Sequence, residues 1–199
     1  MFFLTEPDGK TIERFLADCE FDHLSYPEIG STKASAPFGY KIDHNRIQVG
    51  NGQDTFEKAI AAIRNWKMFD MKWVNLFHDD TPIEINRSVA ILIKHFGFYS
   101  LNAARIVYVI EEIGEIQRFG FAYGTLTEHG EIGEERFSVE FDTGKDEVWY
   151  ELYAFSRPGS LLAKVGYPLG RYLQKAFARD SKLAVLNAVS GHSTSPRNP

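Results

Sequence analysis

The stretch Glu147-Val-Trp-Tyr-Glu-Leu-Tyr-Ala-Phe155 is the last of several strand-like runs, and a helical pattern follows it over residues 160–189. Gly166 and Pro168 interrupt that pattern near its start, which predicts a main helix over about residues 168–188. A sheet with one apolar face must cover that face, and this helix is the longest element in the sequence. The order of strands and final helix therefore decides the fold.

Six runs before the helix are rich in Val, Ile, Phe, Tyr and Trp, and short turn sequences separate them. The runs are Lys72–Phe77, Ser88–Phe96, Ala104–Glu112, Arg118–Leu126, Glu134–Phe141 and Glu147–Phe155. Short connections let neighbouring strands pair as an antiparallel meander. With a further strand over residues 39–49, they predict an α+β fold, in which a curved antiparallel sheet of about seven strands wraps on a long C-terminal helix.

Two shorter helices are predicted upstream of the six runs. Residues 9–19 carry an apolar stripe, and Asp8 is placed to act as the N-cap of that helix. Residues 55–66 carry a second stripe, and Asp54 with Glu57 resembles a capping box. Neither helix is long enough to cover the sheet, so the C-terminal helix keeps that role.

The composition is that of an ordinary folded protein with an aromatic excess. The chain has 199 residues, of which 44% are hydrophobic and 14% aromatic, and its formal net charge is -5. No basic block is present, so a nucleic-acid partner is not expected, and no apolar run reaches the roughly 20 residues that span a bilayer. The first eight residues lack the basic start and apolar core of a signal peptide. With Cys19 as the single cysteine, we expect a cytoplasmic protein.

Several short motifs occur in order along the chain. They include Tyr26-Pro-Glu-Ile-Gly-Ser-Thr32, Gly120-Phe-Ala-Tyr-Gly-Thr-Leu126 and Phe155-Ser-Arg-Pro158. Over about residues 24–188 the sequence resembles the bacterial and plant family called domain of unknown function nineteen-ninety, of the UPF type. That family is grouped with the START-like and birch-pollen-allergen-like helix-grip superfamily. The resemblance implies one START-like domain over residues 1–190 and brings no established activity, and the composition of residues 191–199 predicts a disordered tail.

Charged residues on apolar strand faces are the most informative candidates for a functional site. Strand alternation places Glu135 and Glu151 on apolar faces, and it places Arg105 with Val109. A carboxylate on an apolar face must be paired or protonated. If these faces meet, Glu135, Glu151, Arg105 and Arg157 form a polar cluster inside an aromatic cavity. The residues expected to contact a ligand there are Arg105, Tyr123, Glu135, Trp149, Glu151, Tyr153 and Arg157.

Three interpretations of this cluster are open at the level of sequence. The first is a satisfied network of ion pairs, or a charge ladder on the outer face. The second is a polar anchor that orients a mostly apolar ligand. The third is an acid–base site, with Glu135 or Glu151 as the catalytic proton-transfer group and His129 or Tyr123 beside it. The strand register decides between them, because a slip of one residue reverses every assignment.

The favoured hypothesis for function is that a hydrophobic small molecule or lipid binds between the sheet and the C-terminal helix. The alternatives are an enzyme that uses general acid–base carboxylates on an apolar or polyketide-like substrate, and an interaction module without an internal ligand. The six histidines form no metal-binding motif, so neither a metal site nor a cofactor is expected. The volume of the cavity and the strand face that lines it distinguish these hypotheses.

Overall fold

The structure is a computed structural model that describes residues 1–34, 37–78, 80–127, 129–159 and 167–191. Eight strands and three α-helices form this described part of the protein. The strands are β1 (Phe2–Phe3), β2 (Lys41–Asn51), β3 (Val74–Phe77), β4 (Ser88–Lys94), β5 (Tyr99–Glu112), β6 (Ile116–Thr125), β7 (Glu131–Asp142) and β8 (Glu147–Pro158). The α-helices are α1 (Gly9–Asp18), α2 (Gln53–Arg64) and α3 (Tyr167–Ser190). Short 3₁₀ turns lie at Cys19–Phe21, Ser31–Lys33 and Lys67–Phe69.

The strands β3 to β8 pair with their neighbours in sequence as an antiparallel meander. Strand β2 pairs with β8, which gives the order β2-β8-β7-β6-β5-β4-β3, and β1 pairs with β5 off this path. The predicted meander of six strands and the seventh strand beside it are confirmed. The sequence does not predict β1, because a two-residue strand carries no alternating pattern.

The concave face of the curved sheet is covered by α2 and α3. Ile63 of α2 and Val185 of α3 are fully buried in one apolar cluster with inward-facing strand residues such as Phe137. The hydroxyls of Tyr150 on β8 and Ser181 on α3 are hydrogen-bonded at 2.7 Å inside this core. The predicted fold class is therefore confirmed: an antiparallel sheet grips a long C-terminal helix in an α+β, helix-grip arrangement.

The convex face of the sheet is covered at β4 and β5 by α1. Ile12 and Phe15 of α1 are buried in a second apolar cluster with Leu92 of β4 and Leu101 of β5. Both faces of β4 are therefore buried, which explains why its sequence is an unbroken apolar run rather than an alternating one.

The helix boundaries agree with the predictions to within two residues, and both ends of α2 lie two residues before the predicted bounds of 55–66. The Asp8 side chain caps α1 by accepting a hydrogen bond of 2.8 Å from the Thr11 amide, as predicted. The predicted capping box before α2 is wrong, because Gly52, with a φ of 82°, is the N-cap and has no side chain to accept a bond. The helix begins at Gln53, and the predicted tail lies outside the described residues beyond Gly191.

Candidate functional site

A cavity of about 770 Å³ lies between the concave face of the sheet and α3. Its walls are mostly apolar. The large described side chains that line it include Phe2, Phe3, Phe69, Trp73, Phe98, Tyr123, Leu152, Phe155, Leu173 and Phe177. This volume falls in the range of pockets that bind small organic molecules. The interior of the fold is therefore hollow between the sheet and the first half of α3.

Strand alternation directs four side chains of β6, β7 and β8 into this cavity. Tyr123, Glu135, Leu152 and Ala154 all point to the concave face and line the cavity. Glu135 pairs in register with Tyr123 on one side and with Ala154 on the other. The small side chain of Ala154 leaves room beside the Glu135 carboxyl, so this acid group is open to the cavity.

The carboxyl of Glu135 and the hydroxyl of Tyr123 form the central polar contact of the cavity. Tyr123 donates a hydrogen bond of 2.7 Å to Oε2 of Glu135. Burial raises the pKa of Glu135 to about 7, because water no longer solvates its charged form. Burial and the neighbouring Glu135 charge raise the pKa of Tyr123 well above its usual value, so Tyr123 stays a hydrogen-bond donor. This pair can orient a polar group of a ligand or exchange a proton with it.

His129 lines the cavity near the start of β7. Its Nδ1 accepts a hydrogen bond of 3.0 Å from the Glu131 amide, which fixes the orientation of the ring. Burial lowers the pKa of His129 to about 4, so the ring is neutral at neutral pH. His129 therefore offers the cavity a neutral imidazole rather than a positive charge.

Polar contacts fasten the N-terminal half of α3 over the cavity. Gln174 donates a hydrogen bond of 3.0 Å to the Ser156 hydroxyl of β8. Arg171 donates from both terminal nitrogens to the Asp43 carboxylate of β2, with Nη2 at 2.7 Å from Oδ1. These bonds hold the helix against β2 and β8 and leave the space beneath it open.

Three of the residues expected to contact a ligand lie on the opposite face of β8. Because Tyr150 and Leu152 point inward, Trp149, Glu151 and Tyr153 point to the convex face. There Glu151 accepts a hydrogen bond from Arg136. The guanidinium of Arg46 lies over the Trp149 ring at 4.6 Å, and that of Arg136 lies over the Tyr153 ring at 5.3 Å. Trp149, Glu151 and Tyr153 therefore lie outside the cavity, contrary to the prediction that they contact a ligand there.

Arg157 and Arg105 also lie outside the cavity. Arg157 packs its guanidinium over the Tyr40 ring at 4.7 Å. Arg105 donates to the main-chain oxygens of residues 19, 20 and 22 at distances of 2.7–2.8 Å, next to α1. A register shift of β5 between Ile106 and Tyr108 reverses the alternation, so Val109 faces the core and Arg105 does not. The predicted cluster of Glu135, Glu151, Arg105 and Arg157 therefore does not form.

Glu134 is a buried carboxylate that the sequence pattern does not mark as a site residue. It is 2% exposed, and it accepts hydrogen bonds from the Tyr26 hydroxyl at 2.6 Å, the Gly30 amide at 2.6 Å and the Thr32 amide at 2.9 Å. The Thr32 hydroxyl donates to it as well. Alternation correctly separates Glu134 from Glu135 but does not indicate that the face of Glu134 is buried. The signal for its burial is the Tyr26–Thr32 motif, whose donors cover that face.

The fold and the cavity define a helix-grip protein with a mostly apolar cavity between the sheet and its C-terminal helix. The chain belongs to the family described as Domain of unknown function (DUF1990), whose model matches residues 25–184, and the family resemblance found in the sequence is confirmed. A UPF0548 protein of Dictyostelium discoideum is 36% identical over 211 residues, which cover 96% of this chain and 97% of that protein. A UPF0548 protein of Arabidopsis thaliana is 40% identical over 156 residues, which cover 76% of this chain and 75% of that protein.

Solved structures that are similar to this one share little sequence with it. Norcoclaurine synthase from Thalictrum flavum is 13% identical with a TM-score of 0.48, and the match covers 79% of this chain and 99% of that one. Human STARD10 is 12% identical with a TM-score of 0.43, and the match covers 92% of this chain and 81% of that one. Because these scores are low, the helix-grip assignment rests on the strand order and the C-terminal helix of this protein itself.

Proposed function

We propose that this protein binds a hydrophobic small molecule or lipid in the cavity between the sheet and α3. The observation that carries the proposal is a mostly apolar chamber of about 770 Å³ that contains a buried carboxyl group. Apolar walls supply affinity through the area that the ligand removes from water. A buried polar group fixes the ligand's orientation, because a ligand that leaves it unpaired binds less well.

The alternative of an interaction module without an internal ligand receives less support. That hypothesis expects side chains to fill the space between the sheet and the helix, and the cavity occupies this space instead. No helix in the described ranges is both long and apolar enough to cross a membrane. We keep a cytoplasmic location and a single domain over residues 1–190 as parts of the same proposal.

The direct test is to look for the ligand and then to fill the cavity. Purified protein is extracted with organic solvent and the extract is analysed by mass spectrometry. Binding of the neutral fluorophore N-phenylnaphthylamine is then compared between the wild type and Ala154→Phe, which places a large ring inside the cavity. Tyr153→Phe, on the convex face of the same strand, is the matched control. We expect Ala154→Phe to lose most of the fluorophore binding and Tyr153→Phe to keep it.

Two results contradict the ligand-binding proposal. One is an empty extract together with no fluorophore binding by the wild type. The other is unchanged binding by an Ala154→Phe variant whose circular dichroism spectrum shows a native fold.

A second candidate function is acid–base catalysis on the bound molecule, with Glu135 as the proton-transfer group. The specific observation in its favour is that the pKa of Glu135 is raised to about 7, where a carboxyl group can both donate and accept a proton. The extracted ligand is incubated with the wild type and with Glu135→Gln, and any product is followed by mass spectrometry. If Glu135 is catalytic, Glu135→Gln should abolish conversion and spare binding. If the Glu135→Gln variant converts the ligand at the wild-type rate, Glu135 is not the proton-transfer group.

A further inference from the structure

The ionisable Asp, Glu, Lys and Arg side chains that line the described part of the cavity are all acidic. Asp43, Glu131, Glu134 and Glu135 contribute to its walls, and no Lys or Arg is among the described lining residues. A chamber built for a fatty acid or another anionic amphiphile would place a cation or an array of N–H donors beside the bound carboxylate. The charged side chains in the walls of this cavity have the opposite sign, and the N-terminal ammonium, which lies near His129, donates a hydrogen bond to the main-chain oxygen of Leu101.

Three of the four carboxylates lie beside a cation or accept several hydrogen bonds within the protein. Asp43 is paired with Arg171. The Glu134 oxygens face the convex side of the sheet, where main-chain amides and hydroxyls donate to them. Glu131 lies beside the Ser156 hydroxyl and within the field of Arg171, although burial still raises its pKa. These three acids are therefore already compensated, in full or in part.

Glu135 differs from the other three. Its Oε2 accepts the hydrogen bond of Tyr123, and within the part of the chain that the structure describes no Lys or Arg forms an ion pair with it. A carboxylate in an apolar chamber is stable when it is protonated or when a cation lies beside it. Among the described residues no hydrogen bond to the second oxygen, Oε1, is seen, so this oxygen can interact with an occupant of the cavity.

Aromatic rings around the same space support a positively charged occupant. Phe69, Tyr123 and Phe177 line the cavity. The ring centroids of Phe69 and Tyr123 are 6.3 Å apart, and those of Phe69 and Phe177 are 5.4 Å apart. The face of an aromatic ring attracts a cation, and the attraction strengthens where water is excluded. Apolar walls, aromatic faces and one carboxylate that has no cationic partner among the described residues are together the features that recognise an apolar amine.

Resting on the proposed function, we infer that the cavity takes a cationic amphiphile, an apolar molecule whose primary or secondary ammonium group pairs with Glu135. The ammonium donates a hydrogen bond to Oε1, while Tyr123 keeps Oε2 occupied. No proton or bond is changed in the ligand. A carboxylate ligand is disfavoured by repulsion from Glu135, and an alcohol gains a hydrogen bond but no ion pair.

The inference has a pH dependence with a defined sign. The titratable groups near Glu135 are Tyr123 of β6, Tyr150 of β8 and Asp43 of β2, and both tyrosines stay protonated because burial raises their pKa values. Near neutral pH, an ammonium ligand requires Glu135 to release its proton. Because the pKa of Glu135 is raised to about 7, amine affinity should rise about tenfold between about pH 6 and about pH 8.

The test compares three ligands that share one alkyl chain: decylamine, decanol and decanoate. Each is titrated below its micelle concentration against the full chain, by displacement of N-phenylnaphthylamine. The wild type should bind decylamine at least about tenfold more tightly than the other two. Glu135→Gln, which can still accept the Tyr123 bond, should lose this preference and its pH dependence while binding decanol as before. Glu140→Gln, on the convex face of the same strand, should behave like the wild type.

The outcomes separate this inference from the proposed function. If the wild type binds decanol or decanoate as tightly as decylamine, the inference is overturned and the apolar cavity remains a binding site. The same holds if Glu135→Gln keeps the preference for decylamine. If neither the fluorophore nor any of the three ligands binds, the proposed function fails as well.

Discussion

Glu134 and Glu135 are consecutive residues of β7, and their carboxylates lie on opposite faces of the sheet. The first accepts hydrogen bonds from the Tyr26–Thr32 segment on the convex side. The second faces the cavity and accepts one bond from Tyr123. One acid therefore fastens the chain to the sheet, and its neighbour is available to a ligand. The different surroundings of these two residues lead to different predictions for their substitution.

Replacement of Glu134 should destabilise the protein strongly. Glu134→Ala leaves the hydroxyl of Tyr26 and two main-chain amides without their acceptor in a buried site, which should lower the free energy of unfolding by about 3 kcal/mol. Glu140→Ala is the control, because Glu140 makes ion pairs with the partly exposed Arg46 and Arg118, and it should cost about 1 kcal/mol or less. Urea unfolding measures both values, and equal losses would contradict the role assigned to Glu134.

The sequence predicts the sheet and the C-terminal helix because both produce strong periodic patterns. Alternation along β7 correctly places Glu135 with Phe137 on the core face and separates it from Glu134. The convex-face position of Glu151 needs more than alternation. Both faces of β8 carry large aromatic residues, so its sequence does not say which face is the inner one.

Two other features of the candidate site depend on contacts between distant parts of the chain. The register shift of β5 near Ile106 leaves no clear mark in the sequence, and it moves Arg105 to the convex face. The cover over Glu134 comes from residues more than a hundred positions earlier, in a segment without regular periodicity. Such tertiary contacts override local pattern, which is why the predicted four-residue cluster is wrong.

Replacement of Arg105 should loosen the connection after α1. Its guanidinium donates to main-chain oxygens of Cys19, Glu20 and Asp22, and it also donates to the Ser88 hydroxyl. In Arg105→Ala these carbonyls lose their donor, so hydrogen exchange should quicken in α1 and in the turn that follows it. Mass spectrometry of exchanged peptides measures this effect.

The control for this prediction is Arg87→Ala. Arg87 is exposed and pairs with Glu84 three residues away, so its removal should leave exchange in α1 unchanged. If both variants exchange at the same rate as the wild type throughout α1, Arg105 does not hold this segment.

Glu135 should make the protein less stable as the pH rises towards neutrality. Its pKa is raised in the folded protein from 4.5 to about 7, so the folded state binds the proton more tightly than the unfolded chain does. The linkage relation then requires stability to fall from about pH 4.5 to about pH 7, by at most about 3 kcal/mol. Glu135→Gln removes this slope, and its stability relative to the wild type should increase over that window. Urea unfolding at several pH values tests this, and a constant difference between the two proteins would refute it.

His129 should produce a pH slope of the opposite sign. Burial lowers its pKa from 6.5 to about 4, so the unfolded chain takes up a proton that the folded state refuses. Above about pH 6.5 the ring is neutral in both states, and from there down to about pH 4 the folded state should lose stability. The contributions of Glu135 and His129 to the pH dependence of stability therefore have opposite signs. They partly cancel in the wild type, so its pH profile alone does not reveal either one.

Single substitutions separate the two contributions. His129→Asn keeps an acceptor for the Glu131 amide but cannot be protonated, so its stability relative to the wild type should increase as the pH falls from about 6.5 to about 4. Glu135→Gln should show the reverse trend in the overlapping part of this range, because it removes the group that stabilises the fold by holding a proton. The two variants are compared with Glu140→Gln by urea unfolding at each pH. A His129→Asn variant that remains as sensitive to acid as the wild type would show that His129 is not held neutral in the folded protein.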